Sequence, residues 1–462
     1  MEEDFNVKQK ALKLFHLVYQ TSPAYRHFIN SHKIDPSQIK SVSDWSKIPI
    51  MDRHNYINRY PLNDRLFEGK KLKDFYMISA SSGSTGNPTL WPRDFNADIA
   101  LEKKKEQLYE EHFQISKIST LCLVTFALGT WTAGMLTVKL SWAAAQRNKF
   151  TVVSTGMNKE EVLVMIKNLY KYYDQVLILG YPPFLTDLIA YSAEIGFDLK
   201  KANTKIMCTG DKFSEKWRTY ITEKVSKTGN CRDVVGFYAC SDTGIIGCET
   251  KKTIDILISS QNHVALTNSL FGSKNLPTFV TYDPNIKFLE SINGEIIITA
   301  KQPVPLIRYN IHDRGGLLTG KTVKSIAHQF GIKLSDEDTQ KKYVFVFGRS
   351  DAVIITANIY IEDIKYCLEN SRFKDKLTGY FKYGRYESKN HKYGLKIIIY
   401  LKNKIKLNRR KSVLFKKEFT NNLITVNKDF RYIYETSKLK LKFYFKPDDP
   451  YKFKSAKLKY FL

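Results

Sequence analysis

The segment Ser79-Ala-Ser-Ser-Gly-Ser-Thr-Gly-Asn-Pro-Thr89 interleaves hydroxyls with glycines. Small residues let a backbone approach an anion closely, and successive amides and hydroxyls donate hydrogen bonds to phosphate oxygens. It is not a Walker loop, because no Gly-Lys-Ser/Thr follows at the required spacing. On its own it reads equally as a phosphate cradle and as a plain flexible turn. Other candidates have similar double readings. Asp242 sits before Thr243-Gly244, where an aspartate is commonly a turn residue. Arg349 and Asp351 make an ordinary surface pair or a site, and Lys457 is one cation among many in a basic tail. Cys231, Cys240, Cys248 and His263 offer metal-binding atoms, yet their spacing matches no structural zinc template.

The elements that must position these groups follow from pattern. A chain of 462 residues exceeds what one hydrophobic core usually supports, so a large domain and a smaller one are expected. Residues 1–75 carry helical periodicity punctuated by Pro23, Pro36, Pro49 and Pro61. From there to about residue 250, apolar strands such as Val176-Leu-Ile-Leu179 and Lys205-Ile-Met-Cys208 alternate with helical patterns at 159–172 and 184–195, the rhythm of an α/β domain. Between about 253 and 320, residues 254–258 and 295–299 read as strands of a β-rich subdomain. Beyond Gly348-Arg349-Ser350-Asp351 a small basic α+β unit begins, with strands expected at 353–356, 395–401 and 441–445. The division is therefore 1–350 and 351–462: an α/β protein with αβα layers and a β-rich subdomain, followed by a small mobile α+β lid.

The net charge is +27, and residues 352–462 hold 27 Lys and Arg against 10 Asp and Glu. Such a surface attracts phosphates in nucleotides, nucleic acid or lipid headgroups, or is simply a solvated face. Residues 119–138 carry no charge and are long enough for a membrane span, but five threonines, a serine and two glycines favour a buried strand, a turn and a helix. The six cysteines contain no CxxC pair, which fits reduced thiols. The start, Met1-Glu2-Glu3-Asp4, lacks the basic and apolar regions of an export signal, so a cytoplasmic location is expected.

The serine- and threonine-rich loop resembles the phosphate-gripping signature of the adenylate-forming superfamily, and its Gly-x-Pro-Thr ending is most similar to the phenylacetate-CoA ligase branch. Ser22-Pro-Ala-Tyr-Arg26, Asp35-Pro36, Pro49 and Tyr60-Pro61 resemble the opening of that branch, and further matches recur in order down the chain. The resemblance implies that Ser81, Ser82, Gly83, Ser84, Thr85 and Gly86 hold phosphates and that Gly210 and Asp211 also belong to the nucleotide site. In Phe237-Tyr-Ala-Cys-Ser-Asp-Thr-Gly244 it implies Tyr238 against adenine, Ser241 on the α-phosphate and Asp242 supporting Mg²⁺, one methylene shorter than the usual glutamate. In Pro305-Leu-Ile-Arg-Tyr-Asn-Ile-His-Asp313 it implies Asp313 on the ribose, where two carboxylate oxygens suit a vicinal diol. His312 stands where the family has glycine and reads as local packing.

By the same resemblance Arg349 faces the nucleotide and Asp351 is the hinge. Lys457, in Phe453-Lys-Ser-Ala-Lys-Leu-Lys459, bridges the acyl carboxylate and α-phosphate. Phe126, Trp131 and Tyr181 are expected to line a pocket for a flat or aromatic acid, or else to be core aromatics. The implied activity is ATP- and Mg²⁺-dependent activation of a carboxylic acid as acyl-AMP, with transfer to coenzyme A. Ala357 and Ala456 replace family glycines. If Ala357 narrows the thiol tunnel, a carrier-protein thiol or an amine is the alternative acceptor. A rival reading, a non-catalytic binder of nucleic acid or anionic membrane through the basic unit, requires every ordered motif to be vestigial and finds no aromatic RNA-binding signature or polybasic amphipathic helix.

Overall fold

The computed structural model describes residues 2–81, 88–349, 353–354, 358–359, 361–387, 393–402, 405–427, 430–431, 434 and 440–448. The chain opens with α1 (Glu2–Thr21) and α2 (Pro23–Ser31), whose buried Phe15, Tyr25, Phe28 and Ile29 pack on the β-rich part of the large domain. A hairpin of β1 (Met77–Ala80) and β2 (Leu90–Arg93) then carries the serine- and threonine-rich loop, of which residues 82–87 lie outside the described residues.

The central sheet is assembled from successive αβ units. In chain order these are α3 (Phe95–Phe113), β3 (Thr120–Thr125), α4 (Thr132–Ala145), β4 (Phe150–Ser154), α5 (Lys159–Leu169), β5 (Gln175–Gly180), α6 (Pro182–Glu194), β6 (Thr204–Cys208), α7 (Glu215–Val225) and β7 (Val234–Cys240). Strands β3 to β7 pair in parallel in the order β4-β3-β5-β6-β7. Every residue of β3 and β5 is buried, as a parallel sheet covered on both faces requires. The uncharged stretch at 119–138 is thus a buried strand followed by the start of α4, and among the described residues no helix is long and apolar enough to cross a membrane.

At β7 the sheet changes character. β8 (Gly244–Cys248) pairs with it antiparallel, and after α8 (Lys251–Asn262) and α9 (Val264–Phe271) come β9 (Thr278–Tyr282), β10 (Phe288–Ile292), β11 (Glu295–Ala300) and β12 (Leu306–Thr319). Helices α10 (Gly320–Gln329) and α11 (Asp336–Gln340) precede β13 (Lys342–Arg349). Among the described residues this gives one 11-stranded sheet, ordered β10-β11-β12-β13-β9-β8-β7-β6-β5-β3-β4.

One expectation is corrected here: residues 254–258 are not a strand but the middle of α8. Thr250 caps that helix by accepting from the Thr253 amide at 3.1 Å, and Thr253, Ile254, Leu257 and Ser260 are buried at helical spacing. The alternating isoleucines imitate a strand, but the cap and the i, i+3, i+4 burial decide the matter.

The C-terminal unit contains β14 (Val353–Ile354), β15 (Asn358–Ile359), α12 (Ile361–Glu369), β16 (Leu377–Glu387), β17 (Tyr393–Leu401), α13 (Arg409–Val426) and β18 (Lys440–Pro447). Strands β16, β17 and β18 form a sheet backed by Phe415 and Phe419 of α13, so the expected α+β character is present. The expected boundary at Asp351 lies outside the described residues.

Candidate functional site

The β7–β8 connection is a tight hairpin in which Cys240 faces Gly244 across Ser241, Asp242 and Thr243. Gly244 takes a left-handed backbone, φ +73°, which a side chain disfavours, and this turn pushes Asp242 out at the sheet's end. Tyr309 on β12 donates to Asp242 Oδ2 at 2.6 Å, and Arg53 Nη2 donates to Oδ1 at 2.8 Å. Gln302 Nε2 donates to the Asp242 carbonyl at 2.8 Å, fixing the turn itself. Burial works against the Arg53 charge, but Asp242 and Tyr309 outweigh it and hold its pKa above the ordinary value. Burial first, then Asp242, pushes the Tyr309 hydroxyl well above the usual phenol range, so it remains a donor.

Arg53 was not foreseen from sequence. It lies in a short turn of π-helix at 53–57, capped by Asp52, which accepts from the Asn55 amide at 2.6 Å. The turn is stitched to β12 by bonds from the Met51 amide to the Arg308 carbonyl (3.1 Å) and from the Asn310 amide to the Met51 carbonyl (2.8 Å). Arg308 adds to this anchorage, its guanidinium donating to the carbonyls of Ser46 at 2.9 Å and Ile48 at 2.6 Å. Arg53 Nη2 also stands 3.4 Å from Ser81 Oγ, the described end of the serine- and threonine-rich loop. Ser81 is buried, and its hydroxyl accepts from the Thr89 amide at 3.2 Å, pinching the loop's two ends together.

On the other side of the hairpin, Tyr238 on β7 donates to Asp313 Oδ2 at 2.6 Å. The β12–β13 register sets Asp313 opposite Arg349. Beside Asp313, His312 has φ +61°, a backbone conformation favouring glycine, with Nε2 3.3 Å from Asp52 and Nδ1 3.5 Å from Glu295. Wedged between two carboxylates, it ties the strand to the cap of the Arg53 turn.

The acyl-wall candidates gather on the same sheet end. Trp131 bridges to Ala80, the Ala80 amide donates to the Thr130 carbonyl at 2.7 Å, and Thr132 donates to Ser79 Oγ at 3.0 Å. Trp131 is therefore held against the strand that enters the loop. Phe126 and Tyr181 are buried at the ends of β3 and β5. The Tyr181 hydroxyl lies 3.5 Å from Asp211 Oδ2, in a loop where Gly210 has φ +94°. Ser241 is half-buried in the hairpin. Ser82, Gly83, Ser84, Thr85, Gly86, Asp351 and Lys457 lie outside the described residues.

Segments near 53, 81, 131, 211, 238–242, 309–313 and 349 thus converge at one end of the sheet. Among the described residues no group of three or more His, Cys, Asp and Glu is arranged to hold a metal ion. The Asp242 carboxylate, with about four lone-pair sites and two donors in place, has room to join a cation carried mainly by phosphates and water.

No family model matches the chain. It is similar to a phenylacetate-coenzyme A ligase of Escherichia coli (strain K12), 19% identical over 353 residues that cover 74% of this chain and 70% of that one. It is likewise 19% identical over 316 residues to a phenylacetate-coenzyme A ligase of Aromatoleum evansii, covering 67% of this chain and 66% of that one. Among solved structures, 2-hydroxyisobutyryl-CoA ligase in the postadenylation state with 2-HIB-AMP matches with a TM-score of 0.72 at 12% identity, over 100% of this chain and 89% of that one, a likeness of fold.

Proposed function

We propose that the chain, similar to phenylacetate-coenzyme A ligases and sharing the fold of an acyl-CoA ligase, is a phenylacetate-CoA ligase-like member of the adenylate-forming superfamily that uses ATP to activate a small organic acid, aryl or similar, as an acyl-adenylate and passes the acyl group to coenzyme A. In the first step a carboxylate oxygen of the acid bonds to the α-phosphorus while the bond to pyrophosphate breaks. In the second the thiol sulfur attacks the acyl carbon, the thiol proton is lost and AMP leaves.

The roles follow from what each group can donate or accept. Asp313, oriented by the Tyr238 hydroxyl, accepts from the ribose hydroxyls. Ser81 and its neighbour Arg53 are placed to meet the phosphates, residues 82–86 are assigned to them by resemblance alone, and Ser241 donates to the α-phosphate. Asp242, held by Tyr309 and Arg53, is the residue that would support magnesium. Magnesium, when bound, neutralises phosphate charge as pyrophosphate departs. Arg349, paired with Asp313 in the β12–β13 register, is assigned to the nucleotide by the resemblance of its motif. Lys457 supplies a cation to the equatorial oxygens of the first transition state, a contribution on the order of 3 kcal/mol in a dry site. Phe126, Trp131 and Tyr181 line the acid's side of the cleft.

The observation that supports this reading most is the connected polar set Ser81–Arg53–Asp242–Tyr309 beside Tyr238–Asp313, drawn from distant parts of the chain. The test is pyrophosphate release across a library of carboxylic acids, with and without coenzyme A. Release that requires an acid and consumes coenzyme A is expected, whereas no release with any acid contradicts the proposal. Exchange without coenzyme A consumption would favour the amine or carrier-thiol acceptor that Ala357 raises. Salt-sensitive DNA or lipid binding without turnover would favour the non-catalytic reading.

A further inference from the structure

Lys105 on α3 is 1% exposed, and among the described residues it forms no ion pair. Its ammonium lies 3.0 Å from the Met207 thioether, 4.4 Å from the centre of the Phe237 ring and 4.7 Å from that of Tyr109. Two ring faces and a weak sulfur acceptor offset part of the lost hydration, yet a buried cation without a carboxylate is costly. A methionine would fill the same place without that cost, so the charge has a reason beyond packing.

Strand register places that ammonium against the wall proposed for the acid. Val124, Leu179, Met207 and Val235 stand side by side across β3, β5, β6 and β7. Two residues further along these parallel strands, Phe126 and Tyr181 come level with Phe237, and all three join Met207 and Tyr109 in one apolar cluster. Bridging Met207 and Phe237, the ammonium therefore sits between the row of wall residues and the row beneath it. Apolar interior screens little, so the charge is felt across the wall without touching what lies beyond. Its surroundings supply no anion: burial keeps the thiols of Cys122 on β3 and Cys248 on β8 and the Tyr109 hydroxyl protonated, and lowers His112 on α3 to about 4, leaving that ring neutral. Burial lowers Lys105 itself to about 8, so the cation persists at neutral pH.

We propose that Lys105 is a specificity-determining residue: its unpaired charge behind Phe237 selects acids that carry a second carboxylate at the end remote from the one that is activated. This rests on the functional reading above and names the substrate class of the same site. Lys105 acts by its field rather than by contact, so an uncharged acid of the same shape fits the wall but forgoes the attraction.

The probes are terephthalate and succinate, each beside its monomethyl ester, given to the full chain and to Lys105→Met. At pH 7 the ratio of kcat/KM for diacid over monoester, read by pyrophosphate release, is expected to be ~10-fold higher in the wild type than in the variant for at least one pair. In the wild type that ratio is expected to fall ~10-fold between about pH 6.5 and 9.5, as Lys105 loses its proton while both probe carboxylates stay ionised, and to stay flat in the variant. A ratio that is equal in the two proteins, or that ignores pH in the wild type, overturns the proposal. The wild-type profile needs no variant to fold. Met removes a buried charge at nearly constant shape, so its melting temperature is expected to equal or exceed that of the wild type. A lower one with the ratio unchanged makes Lys105 a core residue alone and overturns the proposal. Calorimetric binding of the same pairs without ATP is expected to show the same ~10-fold preference, lost in Lys105→Met. A wild type that keeps this binding preference yet releases no pyrophosphate with any acid sinks the functional reading alone, whereas equal binding of diacid and monoester in both pairs overturns the role of Lys105.

Discussion

The side proposed for the nucleotide and the wall proposed for the acid share one end of the sheet but are built differently. On the nucleotide side Arg53, Asp242 and Tyr309 interlock at 2.6–2.8 Å, and Tyr238 binds Asp313 at 2.6 Å. On the acyl wall Phe126 and Tyr181 lie in the apolar core at the strand ends, and Trp131 is held by backbone contacts. A diol and a phosphate chain demand donors and acceptors at fixed points, so few residue types satisfy them. An apolar pocket accepts many side chains of suitable volume. The first side is specified atom by atom, the second by shape.

Four substitutions probe that contrast. The largest effect is expected from Lys457→Ala, which should cut pyrophosphate exchange by more than ~10²-fold while ATP binding is largely kept. Wild-type exchange in that variant would refute the assignment. Asp313→Ala removes charged hydrogen bonds, each in the range of ~1.5–3 kcal/mol, so ATP affinity should fall ~10- to 100-fold by calorimetry while the ranking of acids is unchanged. Trp131→Ala should do the reverse, altering the ratio of kcat/KM between a flat and a branched acid by ~10-fold with ATP affinity nearly constant. A parallel loss for every acid would mean that Trp131 supports the fold rather than the pocket. The smallest effect belongs to Tyr309→Phe, which deletes one hydrogen bond to Asp242, worth about 1 kcal/mol, and should lower kcat/KM for ATP ~5-fold. A loss as large as that of Asp313→Ala would show that the Arg53–Asp242 pair depends on this hydroxyl.

The same contrast governs what the sequence reveals. The αβ rhythm is legible from periodicity and the turn at Asp242 from the Thr243-Gly244 that follows it, whereas the roles expected of Asp242 and Asp313 came from the resemblance of their motifs. Arg53 is invisible to local spacing, since its partner lies 189 residues away and nothing distinguishes it from neighbouring polar residues. The run Pro49 to Tyr60-Pro61 was the one signal near it. Arg308 carries a similar lesson: next to a nucleotide motif, it spends its guanidinium on the carbonyls of residues 45–48 and on Glu290. Residues 254–258 misled because three isoleucines at alternate positions fit a strand and a buried helix face alike, and the cap at Thr250 decides between them.

Photocrosslinking with an azido-substituted ATP, followed by peptide mapping, tests the central claim most directly. Label is expected in the peptides spanning β7–β8 and β12, suppressed by excess ATP and weakened in Asp313→Ala. Label confined to the basic helix α13, indifferent to Asp313, would contradict the convergence of these segments on one nucleotide.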